Sequence, residues 1–252
     1  ENQGASVCHK GTLVVALNRD QSDLATFARR APSAATLSKG QVAEQEPYLA
    51  ERYSKALFLA DEGHLDPRAT LTALHARLAK QGVRFSDEIT GQAIDCRGLA
   101  ARDTLTDLRG VKGEMLVVRC PDVTLSRPVR LLHPRFPLYI VPRGDGVFML
   151  GATQIETGER NRATLRSVME LMNAAYALHP AFGEAELLEV GVDARPAFPD
   201  NQPRIRRIRD VIYANGLFRH GFLLAPALAQ MTADLVLDGK IPEVWYEDHR
   251  ER

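Results

Sequence analysis

The chain has 252 residues, 45% apolar and 25% charged, with 32 Lys and Arg balanced by 32 Asp and Glu. This is the composition of an ordinary soluble globular chain, able to bury a real core in one large domain or two interleaved ones. A net charge of zero gives no global field to recruit nucleic acid or a membrane; three scattered cysteines, Cys8, Cys96 and Cys120, point to a reducing, cytoplasmic setting without a disulfide framework; and no apolar run approaches bilayer length.

Residues 11–17, GTLVVAL, read as a short apolar strand. Asp20 or Ser22 can cap a helix through Leu24, Phe27 and Ala28. Residues 31–40 are small and polar and read as a loop, 48–59 as irregular chain and 61–64 as a turn. Asp66 as N-cap, Pro67 in the first position, Leu71, Leu74 and Leu78 at helical spacing and Gly82 beyond them give the clearest helix. Strands at 83–85 and 93–100 complete an α/β layer. The glycine turn of the second places Gly98 at a strand's carboxyl end, where open sheets bind ligands.

From Gly113 the texture becomes antiparallel β. The runs GEMLVVR, RPVRLL, PLYIVPR and GVFMLGAT are separated by proline or glycine, with Arg143-Gly144-Asp145-Gly146 as a hairpin turn. Residues 161–178 form an amphipathic helix with Leu165, Val168, Leu171, Met172 and Ala175 on one face. A strand at 187–192 follows, ended by Arg195-Pro196. Arg204, Arg206, Arg207 and Arg209 lack interleaved aromatics and read as a solvated loop, not a nucleic-acid patch. Val211, Ile212 and Tyr213 give a strand, Asn215-Gly216 and Gly221 a tight turn, and Leu224, Leu228, Met231 and Leu235 a helix that stops near Gly239.

The start of that last helix is the most suggestive place in the chain. Its first backbone N–H groups have no partners within the helix and carry partial positive charge. Arg219 adds full charge and Gly221 allows close approach, so the stretch suits an anionic group. Elsewhere there is no GxSxG elbow, P-loop, CxxC, HExxH or GxGxxG, and no histidine pair has metal-ligand spacing. Arg195, in DARPAFPDN, suits bidentate capture of a carboxylate or a surface salt bridge. Tyr139 suits a ligand hydroxyl or a core tyrosine with its hydroxyl satisfied.

The motifs CRGLAARDTLTDLRGVKGEM, RPVRLLHPRFPLYIVPRGDGVFMLGAT, HPAFGEAELLEVGVDARPAFPDN and NGLFRHGFLLAPALA resemble, in order, the D-amino-acid oxidase superfamily. The branch they resemble most is the FAD-dependent glycine oxidase of thiamine biosynthesis. The resemblance implies an α/β (α+β) fold: a Rossmann-like FAD-binding domain, 50–112 and 191–252, interleaved with an antiparallel-sheet substrate domain, 1–49 and 113–190. It implies that Arg195 clamps a substrate carboxylate, that Tyr139 hydrogen-bonds it, and that Arg219 is a second arginine at the substrate. Leu217, Phe218, Arg219, His220, Gly221, Phe222 and Leu223 would wrap the flavin, Gly98 would line the cofactor, and Gln154 would lie near the pocket.

The implied reaction is oxidative deamination of glycine or a small amino acid. Hydride would leave the α-carbon for flavin N5 without an acid–base side chain, and oxygen would yield hydrogen peroxide. The imine would hydrolyse or pass to a thiazole-forming partner enzyme. A homo-oligomer is implied, with neither nucleic acid nor membrane as partner. Related oxidases of D-amino acids or sarcosine are the enzymatic alternatives. The family's N-terminal strand, glycine-rich turn and helix, which hold the FAD pyrophosphate, are not in this sequence. The expectation is that the chain is part of a longer protein; a non-catalytic remnant without FAD is the alternative.

Overall fold

The computed structural model describes residues 6–133 and 137–249. They fold as two compact units, one comprising Glu1–Gln81, Glu114–Thr153 and Arg162–Val192, the other Gly82–Gly113, Gln154–Asn161 and Asp193–Arg252.

The first unit is built on a sheet whose strands run in the order 114–119 (the later part of the Arg109–Arg119 strand), Val147–Gly151, Leu138–Gly144, Val129–Leu132, Thr12–Ala16, Lys55–Leu59 and Ala35–Ser38. Neighbours are antiparallel except Thr12–Ala16, which lies parallel to Val129–Leu132. Thr12–Ala16 is buried along its whole length, as a continuous apolar run requires when both faces are covered. Asp145 and Gly146 close the central hairpin with φ of 51° and 70°, the left-handed pair that matches strand twist. The Leu165–Leu178 helix packs Leu171, Ala174, Ala175 and Leu178 into the core beside Ile140, Phe148 and Leu150; each buried leucine contributes about 2 kcal/mol. Thr164 caps it, its hydroxyl accepting from Ser167 N–H at 3.2 Å.

The second unit carries a sheet in the order Tyr246–Asp248, Arg204–Ile208, Val211–Asn215 and Ala93–Asp95. The middle two strands form an antiparallel hairpin, and each outer strand lies parallel to its neighbour. The Gly221–Leu237 helix seats Leu228 and Leu235 against Ile205 and Ile212. Among the described residues no helix is long and apolar enough to cross a membrane, and Cys8, Cys96 and Cys120 are all free thiols.

Several local expectations are corrected. Residues 35–38 are a strand, not loop, and 55–59 a strand, not irregular chain; they pair with each other, burying Leu37, Ala56 and Leu57. Residues 50–81 fall in the first unit. Residues 83–85 form no strand, and Val83 and Phe85 are 45% and 55% exposed, because no described strand offers them a ladder. The second α/β strand ends at Asp95 and gives way to a short 3-10 turn over Gly98–Asp103, and the strand expected to end at Arg195-Pro196 runs to Ala197. On the Leu165–Leu178 helix, Leu165 and Met172 face outward, 77% and 41% exposed. The arginine run is no loop. Arg204 and Arg206 project from a strand into ion pairs with Asp200, Asp107 and Glu247, and Arg206 stacks 4.5 Å from the Phe198 ring centre.

Candidate active site

In the second unit the strands Ala93–Asp95 and Val211–Asn215 run parallel, so their carboxyl ends open on the same side. The chain after each strand carries expected site residues. Gly98 follows the first in a left-handed conformation, φ 61°. Its carbonyl accepts from Asn215 Nδ2 at 2.8 Å, which ties one loop to the end of the neighbouring strand. Arg97 beside it bonds Asp95 and Asp103. Burial raises the Asp95 carboxyl, but the bonds from Arg97 outweigh it and hold the group below its ordinary range.

After Asn215 the chain turns through Gly216, φ 81°, and then through Phe218, which is left-handed at φ 48°. Leu217 packs against the core of the second unit. Phe218 N–H donates to Pro196 O at 3.1 Å and His220 N–H to Leu217 O at 2.9 Å, closing the turn. The helix begins at once with Gly221. Leu224 N–H reaches His220 O at 2.8 Å, whereas the amides of Gly221, Phe222 and Leu223 have no acceptor among the described residues. Space around Gly221 is open, and Phe222 and Leu223 are 46% and 75% exposed. Three outward donors beside two exposed apolar side chains suit a flat ligand with acceptor atoms on its edge.

Arg219 is exposed, its Nη1 donating to Gln154 Oε1 at 3.4 Å. Arg195 lies in the same unit, near the end of the Glu186–Ala197 strand. Its guanidinium rests on Gly113, where an added Cβ would lie 2.5 Å from Arg195 Cζ. The glycine in mid-strand is what gives the guanidinium its seat. Asp193, two residues before, is bonded by Arg160 at 2.6 Å, which holds its carboxyl below the ordinary range. Tyr139 belongs to the first unit. It faces Gly151 across the hairpin, and a Cβ there would lie 2.6 Å from the Tyr139 hydroxyl.

Thus Gly98, Arg195, Arg219 and residues 217–223 all fall in the second unit and Tyr139 in the first. The sequence reading missed Gly113 and Gly151 as seats and Asn215 as the anchor of Gly98. Glycines inside strand patterns were the available signal for the first two.

The chain matches the family described as "FAD dependent oxidoreductase" over residues 1–235. It is 50% identical over 238 residues to a Rhizobium etli protein provisionally named thiamine biosynthesis oxidoreductase ThiO, covering 92% of this chain and 73% of that protein. It is 29% identical over 237 residues to the bifunctional protein ThiO/ThiG of Synechocystis, covering 83% of this chain and 36% of that one. The chain thus spans about three quarters of the first relative's length and about a third of the second's. Among solved structures, glycine oxidase from Geobacillus kaustophilus superposes with a TM-score of 0.77 at 25% identity, over 95% of this chain and 73% of that one. With the family match running through nearly the whole chain and half the residues shared with a relative, the chain belongs to the FAD-dependent oxidoreductase family.

Proposed function

We propose that the protein oxidises glycine or another small amino acid, supplying the imine to a thiazole-forming enzyme of thiamine synthesis. The observation that carries the reading is the guanidinium of Arg195 seated flat on Gly113, a rigid, planar double donor of the kind that takes a carboxylate by two parallel bonds. The thiamine-related names of the relatives, one joining two activities in a single chain, support the metabolic placement.

The outward amides of Gly221, Phe222 and Leu223 and the open space at Gly221 fit one edge of a flavin ring. FAD, when bound, supplies the electron acceptor and passes the electrons on to oxygen. The chain's own work is placement. Arg195 fixes the substrate carboxylate, and with it the distance of the α-carbon. Arg219 adds a second positive charge. The helix start stabilises negative charge arriving at its N–H groups. The expectation is a purified protein with the visible bands of oxidised flavin, bleached by glycine under anaerobic conditions. A protein that is yellow yet unbleached by glycine, D-alanine or sarcosine would sink the proposal.

A further inference from the structure

We propose that Arg109 holds the left-handed Phe218 turn in place and is thereby the positioning residue for Arg219. Arg109 opens the Arg109–Arg119 strand, and its guanidinium serves three neighbours of the second unit at once. One nitrogen bonds the Glu156 carboxylate, another donates to Asn201 Oδ1, and the group lies 6.0 Å from the centre of the Phe218 ring.

Two of these neighbours have something in common. Asn201 and Phe218 are non-glycine residues with φ of 62° and 48°. Asparagine tolerates that region; a phenylalanine there is strained and persists only where its surroundings fix it. Phe218 is held by its N–H bond to Pro196 O on one side and by the Arg109 guanidinium over its ring on the other.

The contacts close a circuit. Glu156, bonded by Arg109, is separated by one residue from Gln154, which accepts from Arg219. Arg219 follows Phe218 in the chain, and Phe218 lies against Arg109. Ile155 and Glu156 are themselves paired with Lys112 and Val111, on the strand that Arg109 begins. Moving Arg109 therefore frees the turn at its ring and the Gln154 segment at its carboxylate. The plain alternative is a surface ion pair with Glu156, whose side chain is 65% exposed; such a pair contributes little, and lysine would replace arginine in it with small loss. An ammonium is one compact point charge and lacks the planar spread by which separate guanidinium nitrogens reach the carboxylate and the amide while the group lies over the ring. The hold on the turn is independent of any activity; its value for Arg219 rests on the function proposed above.

The test is amide hydrogen exchange on the full chain without added cofactor, with wild type, Arg109→Lys, Phe218→Leu and the double variant. Glycolate binding to the same four proteins is measured by calorimetry. Arg109→Lys is expected to speed exchange at Phe218 and His220 about tenfold while leaving Ile212 unchanged. It should add little in the Phe218→Leu background, and it should weaken glycolate binding. Unchanged exchange at Phe218 and His220, or equal acceleration at Ile212, overturns the inference. Local acceleration with unchanged glycolate affinity, where the wild type binds glycolate, overturns the role assigned to Arg109 toward Arg219. Local acceleration in a chain that binds no glycolate upholds the hold on the turn and overturns instead the assignment of Arg219 to a carboxylate.

Discussion

The guanidinium of Arg195 lies on the α-carbon of Gly113, so closely that any side chain at position 113 would occupy its place. Arg195 and Gly113 are 82 residues apart in sequence and act as one unit, a planar cation and the flat floor beneath it. Gly113→Ala is therefore expected to behave like a substitution of Arg195 itself. A displacement of about 1 Å at such a clamp costs on the order of 100-fold in turnover efficiency. The steady-state constants for glycine should show the loss mainly in kcat/KM, with the protein still folded. An alanine variant with wild-type kcat/KM would remove Arg195 from the substrate site.

Gly151 offers the parallel case in the first unit. A Cβ there would lie 2.6 Å from the Tyr139 hydroxyl and 2.7 Å from its Cζ, so the ring as a whole must yield. Gly151→Ala should destabilise by about 1–3 kcal/mol through overpacking. In the Tyr139→Ala background the same change should cost far less. Urea unfolding of the two single variants and the double one measures this coupling, and additive losses would contradict it.

Tyr53 makes stability fall at alkaline pH. Its hydroxyl donates to Leu178 O at 3.1 Å, and burial pushes its pKa up to about 12, against an ordinary value of 10.0. The folded state favours the neutral phenol, so this stability is full below pH 10 and is lost as pH rises from about 10 to about 12. Tyr53→Phe should cost about 1 kcal/mol at pH 7 and flatten the fall of melting temperature across that window. A fall as steep as the parent's would contradict the assignment.

The acid limit falls to the network around Arg206. Hydrogen bonds from Arg206 hold the Asp107 carboxyl below its ordinary range against burial. At Glu247 burial raises the pKa, and bonds from Arg206 and Arg204 more than reverse it. Carboxyls with lowered folded values stabilise above their unfolded pKa, and the contribution is lost as pH falls through the folded values. Arg206→Met should lower stability at pH 7 by about 1–3 kcal/mol and make the decline below about pH 4 shallower. Denaturant midpoints between pH 7 and pH 3 measure both effects.

What the sequence made legible depended on how local the cause was. The helix from Pro67, its Asp66 cap accepting Ala69 N–H at 2.8 Å, and the Asp145-Gly146 turn follow from residues within a few positions of one another. So does the entry into the Gly221–Leu237 helix directly after Arg219 and His220. The misses have distant causes. Ala35–Ser38 is small and polar and becomes a strand because Lys55–Leu59 pairs with it. Residues 83–85 have strand composition yet form no strand. Of the apolar stripe expected by spacing, Leu171 and Ala175 are buried together with Ala174 and Leu178, while Leu165 and Met172 at its margins stay exposed. Arg195 and Tyr139 were readable as residues of interest from their flanks. The glycines beneath them show in the sequence only as glycines inside strand patterns; that each is a seat is defined only once two strands are side by side.

Ala93–Asp95 is the outermost strand of its sheet among the described residues. Ile94 is 44% exposed there, and Val83, Phe85 and Ile89, 45%, 55% and 83% exposed, lie in the chain leading up to it. An unpaired strand rim close in sequence to such side chains is a template for aggregation. Ile94→Lys is expected to raise the concentration at which the chain stays in solution.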